Sequence, residues 1–238
     1  MRLDFSIHGW AAWAPGLGSP EAWRAWAAAP PVVPRGGETP PLEEVPALAR
    51  RRVERGGRLA FQVAAWCQGE EAGLPLVFAS RHGAALRSHE LLAELARAQP
   101  LSPTSFVLSV HNAVAGQYSI IRGERGNVSA VSNGLFTVEA GVVEAVALLR
   151  EAPRVVLVVH DASGPQLARD FLDEPDADFA FAWKLERGTG FSLRSEPPEA
   201  PAPAALPHAL EVLRFVLGTG DELRRGDGTG SWRWGRGG

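Results

Sequence analysis

The seven residues 154–160, Arg-Val-Val-Leu-Val-Val-His, constrain the fold more than any other segment of the chain. Their five central positions are all aliphatic, so a strand here would present apolar side chains on both of its faces. A run of this kind is typical of a strand that is buried on both sides. We therefore expect a sheet with helices packed against both of its faces.

Hydrophobic patterns along the first 160 residues predict strands that alternate with helices. The predicted strands are residues 3–12, 74–79, 128–131 and 154–160, and the predicted helices are residues 21–28, 88–96, 112–122 and 136–150, with a further helical segment inside 47–67. This order predicts one α/β domain, with layered helices on a mixed five-stranded sheet.

The chain beyond residue 161 has a weaker pattern. Residues 178–185 and 191–193 are joined by Arg187-Gly188-Thr189-Gly190, which indicates an antiparallel hairpin. A short helix is expected at residues 206–217. Alternation at residues 231–234 fits either a late edge strand or a frayed terminus. We assign residues 1–238 to a single domain in which 163–238 form a less certain C-terminal extension.

Composition excludes several classes of function. The net charge of −3 gives no electrostatic reason to expect nucleic acid or an anionic membrane as a partner. No apolar run reaches the length of a membrane span, and the single cysteine, Cys67, excludes an internal disulfide. No pattern indicates a metal site, a cofactor or a dinucleotide loop, and the expected location is the cytoplasm. Cys67 follows Trp66 on the apolar side of a predicted helix, which favours inert packing over reactivity.

Residues 128–137 predict a strand, a sharp turn and the start of a helix. Ala130-Val131-Ser132-Asn133-Gly134 approximates the Gly-x-Ser-x-Gly elbow of serine hydrolases, with Ala130 in the first glycine position. Under that hypothesis Ser132 is the nucleophile, and His160 and Asp161 lie at the end of the next strand. The alternative is a plain turn in which Ser132 caps the following helix. The local pattern leaves both interpretations open.

The stretch from Ser102 to Ile120 carries a more specific signal. The pattern Ser-Pro-Thr-x-Phe-x-x-Ser-Val-His-Asn-Ala, at residues 102–113, resembles a segment of the β-ketoacyl synthases of the thiolase superfamily. In that family a helix, a short strand, an elbow with the nucleophilic cysteine and a long helix follow in this order. The chain is more narrowly similar to the stand-alone N-terminal ketosynthase-like proteins of aryl polyene gene clusters. The resemblance covers roughly residues 1–162 and implies the N-terminal half of a thiolase-like fold.

The same resemblance implies that the catalytic residues are missing. Aligning the elbow puts the catalytic cysteine position at about Leu135, and no residue from Ser129 to Glu139 is cysteine. Ketosynthases also use two histidines, or a histidine and an asparagine, from a C-terminal half that this chain has no room for. The glutamine that many polyketide chain-length factors carry is absent from Leu135 as well. We therefore expect no catalytic residue and no condensing activity.

The proteins that the chain resembles are taken to be chain-length factors, which implies a heterodimer with an active ketosynthase and transient contact with an acyl carrier protein. The expected partner interface comprises His111, Asn112, Gly116, Val128, Ser129, Ala130 and Val131. The expected lining of the partner's acyl tunnel comprises Ser132, Asn133, Gly134, Leu135, Phe136 and Thr137. The alternatives are a small serine acyl hydrolase that uses Ser132 and a structural α/β homodimer without an acyl role.

Overall fold

The aliphatic strand of the sequence lies in the middle of a mixed sheet. The computed structural model describes residues 1–237, apart from the side chains of residues 168–170. Strand β4 (Arg154–Asp161) pairs in parallel with β2 (Leu76–Ala79) and antiparallel with β5 (Phe179–Glu196). Its successive side chains enter two separate apolar cores, one on each face of the sheet. The prediction of a strand buried on both sides is confirmed.

The described residues form a seven-stranded sheet in the order β3-β2-β4-β5-β7-β6, with β1 paired to β5. The other strands are β1 (Arg2–Trp13), β3 (Val128–Val131), β6 (Glu222–Gly226) and β7 (Ser231–Arg236). The predicted α/β class and mixed sheet are confirmed, but the number of five strands is wrong. The two additional strands come from the C-terminal part of the chain.

Eight α-helices are present within the described residues. They are α1 (Pro20–Ala28), α2 (Ala47–Arg50), α3 (Arg55–Gln68), α4 (Ala85–Ala96), α5 (Pro103–Val107), α6 (Ala113–Arg122), α7 (Thr137–Leu148) and α8 (His208–Leu217). Helices α1, α7 and α8 bury their apolar side chains in one core, and α3 and α6 in the other. Within residues 1–237, no helix has the length and apolar content needed to cross a bilayer.

The predicted hairpin between residues 178 and 193 is wrong, because both of its arms pair with β1. Phe5 of β1 lies opposite Phe191, whereas the next residue, Ser6, lies opposite Glu186, so residues 187–190 form a bulge in one long strand. The N–H of Gly190 donates to Ser6 Oγ at 3.1 Å. The Gly-Thr-Gly signal therefore marks a bulge and not a turn.

The C-terminal tail forms an inner strand of the sheet. β7 lies between β5 and β6, so residues 231–234 form neither the edge strand nor the frayed end that the pattern allowed. Trp234 is fully buried, with its ring centroid 6.2 Å from Phe5 and 6.0 Å from Trp183. These aromatic contacts bury a large apolar area and hold the tail in the sheet.

Candidate functional site

Three parallel strands end at the same edge of the sheet, and each is followed by polar residues. Asp161, at the end of β4, is buried and accepts hydrogen bonds from Ser80 Oγ at 2.8 Å and from the N–H groups of Arg81 and His82 at 3.1 and 2.9 Å. Burial raises the pKa of the Asp161 carboxyl, although these donors act in the opposite direction. Asp161 therefore fixes the turn that follows β2.

The structure does not bring together the serine, histidine and aspartate of the hydrolase hypothesis. β2 lies between β3 and β4, so Ser132, just after β3, and His160, near the end of β4, belong to strands that are separated by about 10 Å. Ser132 Oγ donates to the Arg81 carbonyl at 3.3 Å. The Asp161 carboxylate accepts its hydrogen bonds from the turn after β2 and not from His160. Among the described residues, His160 has no hydrogen bond to either of them. A serine nucleophile requires a base within hydrogen-bond reach, so the geometry does not support this hypothesis.

The elbow after β3 is held by Thr137 and not by Ser132. The N–H of Asn133 donates to Thr137 Oγ1 at 3.0 Å, and this hydroxyl donates to the Gly134 carbonyl at 2.8 Å. Gly134 has a φ of +55°, a left-handed conformation that favours glycine. Ser132 is therefore not the cap that the alternative interpretation expected.

The residues predicted to line a tunnel divide into two groups. Ser132, Asn133 and Gly134 are exposed and Leu135 is partly exposed, whereas Phe136 and Thr137 are buried. The ring of Phe136 lies edge-on to His208 of α8, with the ring centroids 6.1 Å apart. The outward face of the elbow is therefore formed by residues 132–135, and Phe136 supports it from inside.

A buried polar cluster behind the elbow was not expected from the sequence. Glu139 of α7 is fully buried and its Oε1 accepts from His208 Nε2 at 2.8 Å and from Trp234 Nε1 at 2.7 Å. Burial disfavours the charged imidazole, but Glu139 and Glu211 outweigh it and raise the pKa of His208 to about 9. These partners lie 69 and 95 residues from Glu139 along the chain, so no local pattern points to the cluster.

The residues predicted to contact a partner lie on and beside the open edge of the sheet. β3 pairs only with β2 among the described strands, and its four residues are partly exposed. His111 is exposed, although its Nε2 lies 2.9 Å from the Ser80 carbonyl, and Asn112 and Gly116 are exposed at the start of α6. Several large apolar side chains along residues 106–120 are also exposed: Phe106, Val107, Val110 and Ile120.

Cys67, the one cysteine of the chain, is a weak nucleophile. Cys67 is buried on α3, where burial raises the pKa of its thiol to about 12. A thiol with this pKa is almost entirely protonated near neutral pH, so it is a poor nucleophile. The predicted packing role of Cys67 is confirmed. The elbow itself presents the isobutyl group of Leu135, which has no atom that can hold an acyl group.

Comparison with known proteins assigns the family. The chain belongs to the family described as "Beta-ketoacyl synthase, N-terminal domain", whose model matches residues 23–235. The family was predicted from residues 102–120, and the match extends well past residue 162, where the sequence signal was weak. No curated protein matches the sequence.

Solved structures of ketosynthases have the same fold. One is a chain of the "Ketosynthase (ApeO) in Complex with its Chain Length Factor (ApeC) from Xenorhabdus doucetiae", with a TM-score of 0.89 and 29% identity; the match covers 98% of this chain and 100% of that chain. "The ishigamide ketosynthase/chain length factor" has a TM-score of 0.63 and 14% identity, over 82% of this chain and 67% of that one. A β-ketoacyl synthase from Burkholderia phymatum STM815 has a TM-score of 0.56 and 14% identity, over 82% and 65%. The predicted thiolase-like fold is confirmed.

We predict that the buried cluster makes stability depend on pH. Because the pKa of His208 is raised in the folded chain, its stabilising charge is fully present below pH 6.5 and is lost as the pH rises through about 9. The free energy of unfolding should fall across this window by at most about 1.4 kcal/mol per pH unit, because one proton is released. Urea unfolding at several pH values across the window measures this slope.

Two variants identify the group responsible. Glu139→Gln removes the charge that favours the imidazolium and should flatten the slope. His8→Gln is the control, because His8 is a half-exposed histidine that pairs with Glu186 and makes no contact with Glu139 or His208 among the contacts of the described residues. An unchanged slope in the Glu139→Gln variant would contradict the assignment to His208.

Proposed function

We propose that this chain is a non-catalytic chain-length-factor subunit that pairs with an active ketosynthase in polyene or fatty-acid-like biosynthesis, of the aryl polyene type. The observation that carries the proposal is the match over the full length of a chain from a ketosynthase–chain length factor complex. In this role the subunit shapes the acyl tunnel of its partner. The acyl carrier protein contacts the assembled pair transiently.

The chemistry of the elbow supports a non-catalytic role. Decarboxylative condensation requires a thiolate that holds the growing acyl chain. Leu135 provides no such group, and the buried thiol of Cys67 has its pKa raised to about 12. The nucleophile and the transition-state donors are therefore assigned to the ketosynthase, and this chain contributes shape.

The backbone of β3 supports pairing at the open edge. The N–H of Leu76 donates to the Asn127 carbonyl at 2.8 Å and the N–H of Ser80 to the Val131 carbonyl at 3.2 Å. In a parallel ladder alternate residues direct their backbone groups to the same neighbour. Val128 and Ala130 therefore direct theirs away from β2, where a strand of the ketosynthase can pair with them. An exposed edge of this kind promotes aggregation unless it is covered.

Exposed apolar side chains lie on α5 and on α6, and α6 contacts β3. Phe106 and Val107 on α5 are each 64% exposed, and Ile120 on α6 is 82% exposed. A group of large apolar side chains in one region of a surface marks an interaction site more often than isolated ones do. The proposed interface therefore combines the β3 edge with apolar contacts from α5 and α6.

We predict that Ala130→Pro weakens association with the ketosynthase. Proline removes the N–H of Ala130, which points outward, without removing a bond to β2. Losing one or two intermolecular hydrogen bonds should weaken binding about tenfold. Surface plasmon resonance with the ketosynthase from the same gene cluster measures the affinity.

Ser129→Pro is the matched control for this prediction. Its N–H faces β2, so this variant should lower the melting temperature more than Ala130→Pro does. Wild-type affinity in a folded Ala130→Pro variant would contradict pairing through the β3 edge. Equal losses of stability in the two variants would contradict the orientation of β3.

The partly exposed Leu135 is proposed as the residue that limits chain length. It lies on the outward face of the elbow, and the buried ring of Phe136 behind it keeps the elbow in place. We assign direct contact with the acyl chain to residues 132–135. Phe136 and Thr137 contribute by holding this surface rigid.

We predict that Leu135→Ala lengthens the products of the reconstituted pair. The substitution removes three carbons, which leaves room for about three more methylene groups, and burial of each contributes about 0.8 kcal/mol. Mass spectrometry of the released chains measures product length.

Phe136→Ala is the comparison: it should cost about 3–5 kcal/mol of stability because it leaves a cavity in this subunit's core. Unaltered product length from a stable Leu135→Ala subunit would contradict the gating role.

A further inference from the structure

A cavity of about 210 Å³ lies at the carboxyl ends of β2 and β4, between α3 and α6. The chain leaves β2 toward β3 and leaves β4 toward β5, so the two connections diverge and open a crevice between the strand ends. Crevices at such points are where open α/β sheets usually bind ligands. Among the described lining residues, none belongs to the elbow at 132–137, so this cavity is separate from the proposed tunnel surface.

The cavity has apolar walls and a charged mouth. Leu108, Val114 and Ala162 are among the residues that form its walls. The charged residues that line the cavity are Arg52, Arg55, Arg87, Glu54 and Glu90. Arg87 pairs with Glu54, and Arg55 pairs with Asp178. The walls therefore suit an apolar molecule. With Asp178 counted, three arginines meet three carboxylates around the mouth, so the charges of the two signs are balanced there.

His160 lines the same cavity from the buried side. It is only 4% exposed, and among the described residues it has no hydrogen-bond partner; its ring contacts Phe78 edge-on at 6.3 Å. Burial, with a smaller effect from His111, lowers the pKa of His160 to about 3, so the ring is neutral near pH 7. A neutral imidazole has one N–H donor and one acceptor nitrogen. Because no other described residue takes up its ring nitrogens and the ring lines the cavity, a molecule inside the cavity can supply the hydrogen-bond partner.

We propose that this cavity binds a small uncharged molecule with an apolar body and a hydroxyl or carbonyl group that hydrogen-bonds to His160. The ligand supplies the partner that the imidazole lacks, and its body fills the apolar walls. A carboxylate is excluded because the neutral ring offers it no compensating charge. An apolar cavity of about 150 Å³ accepts benzene, so a molecule with one six-membered ring fits this volume. The site does not depend on the proposed pairing with a ketosynthase.

Three one-ring probes of similar size test the proposal on the full-length chain: phenol, toluene and benzoate. Isothermal titration should give saturable binding of phenol and about tenfold weaker binding of toluene, since one hydrogen bond is worth about a factor of ten. Benzoate should not bind. Equal affinities for phenol and toluene, or no binding of phenol to the folded chain, would overturn the proposal.

Two substitutions locate the bound phenol. His160→Leu should lower the affinity for phenol to that for toluene and leave toluene unchanged, whereas His8→Leu, at a half-exposed histidine outside the cavity, should change neither. Ala162→Leu places added carbons in the cavity and should abolish binding of both probes.

If His160→Leu does not fold, the imidazole resonances of His160 in the wild-type chain provide the readout, and they should shift with phenol but not with benzoate. Unchanged resonances at saturating phenol, or full phenol affinity in a folded His160→Leu or Ala162→Leu variant, would rule out this site.

Discussion

The position of β2 between β3 and β4 determines how the elbow, the open edge of β3 and Asp161 lie relative to one another. Three parallel strands place their carboxyl ends at one edge of the sheet, so the turn after β2, the elbow after β3 and Asp161 at the end of β4 meet there. The same order leaves β3 with one neighbour and an open side. It also separates Ser132 from His160 by the width of β2, and this distance alone disfavours a hydrolytic triad.

The C-terminal part of the chain stabilises the elbow after β3 on its buried side. β5 and β7 extend the sheet, and α8 brings His208 against Phe136 and Glu139. A buried carboxylate is tolerated only when its charge is paired and its oxygens are hydrogen-bonded. For Glu139, His208 supplies the charge, and His208 and Trp234 both donate hydrogen bonds to Oε1. Because these partners come from residues 208 and 234, the shape of the elbow depends on a segment whose sequence alone is uninformative. In our account this chain therefore presents a rigid outer surface at the position where a ketosynthase carries its nucleophile.

Local patterns predicted those parts of the fold that local physics decides. The aliphatic run at 154–160 requires a strand that is covered on both faces. The strand–turn–helix at 128–137 follows from the β-branched residues Val128 and Val131 and from the turn preference of Gly134. The Gly-Thr-Gly segment at 188–190 was misassigned as a turn because pairing with β1, more than 180 residues away, outweighs its turn preference. The cluster around Glu139 was missed for the same reason, since its partners are distant in sequence. The motif at 102–113 located the family correctly because it is long and specific.

The central claim is that this chain acts as the partner of a ketosynthase and does not carry the acyl group itself. Native mass spectrometry of the two proteins together, followed by peptide mapping after incubation with an acyl donor, tests both parts in one experiment. The account predicts a one-to-one complex in which the acyl group is bound only to the cysteine of the ketosynthase. A chain that forms no complex, or an acyl adduct on residues 129–139 of this chain, would contradict it.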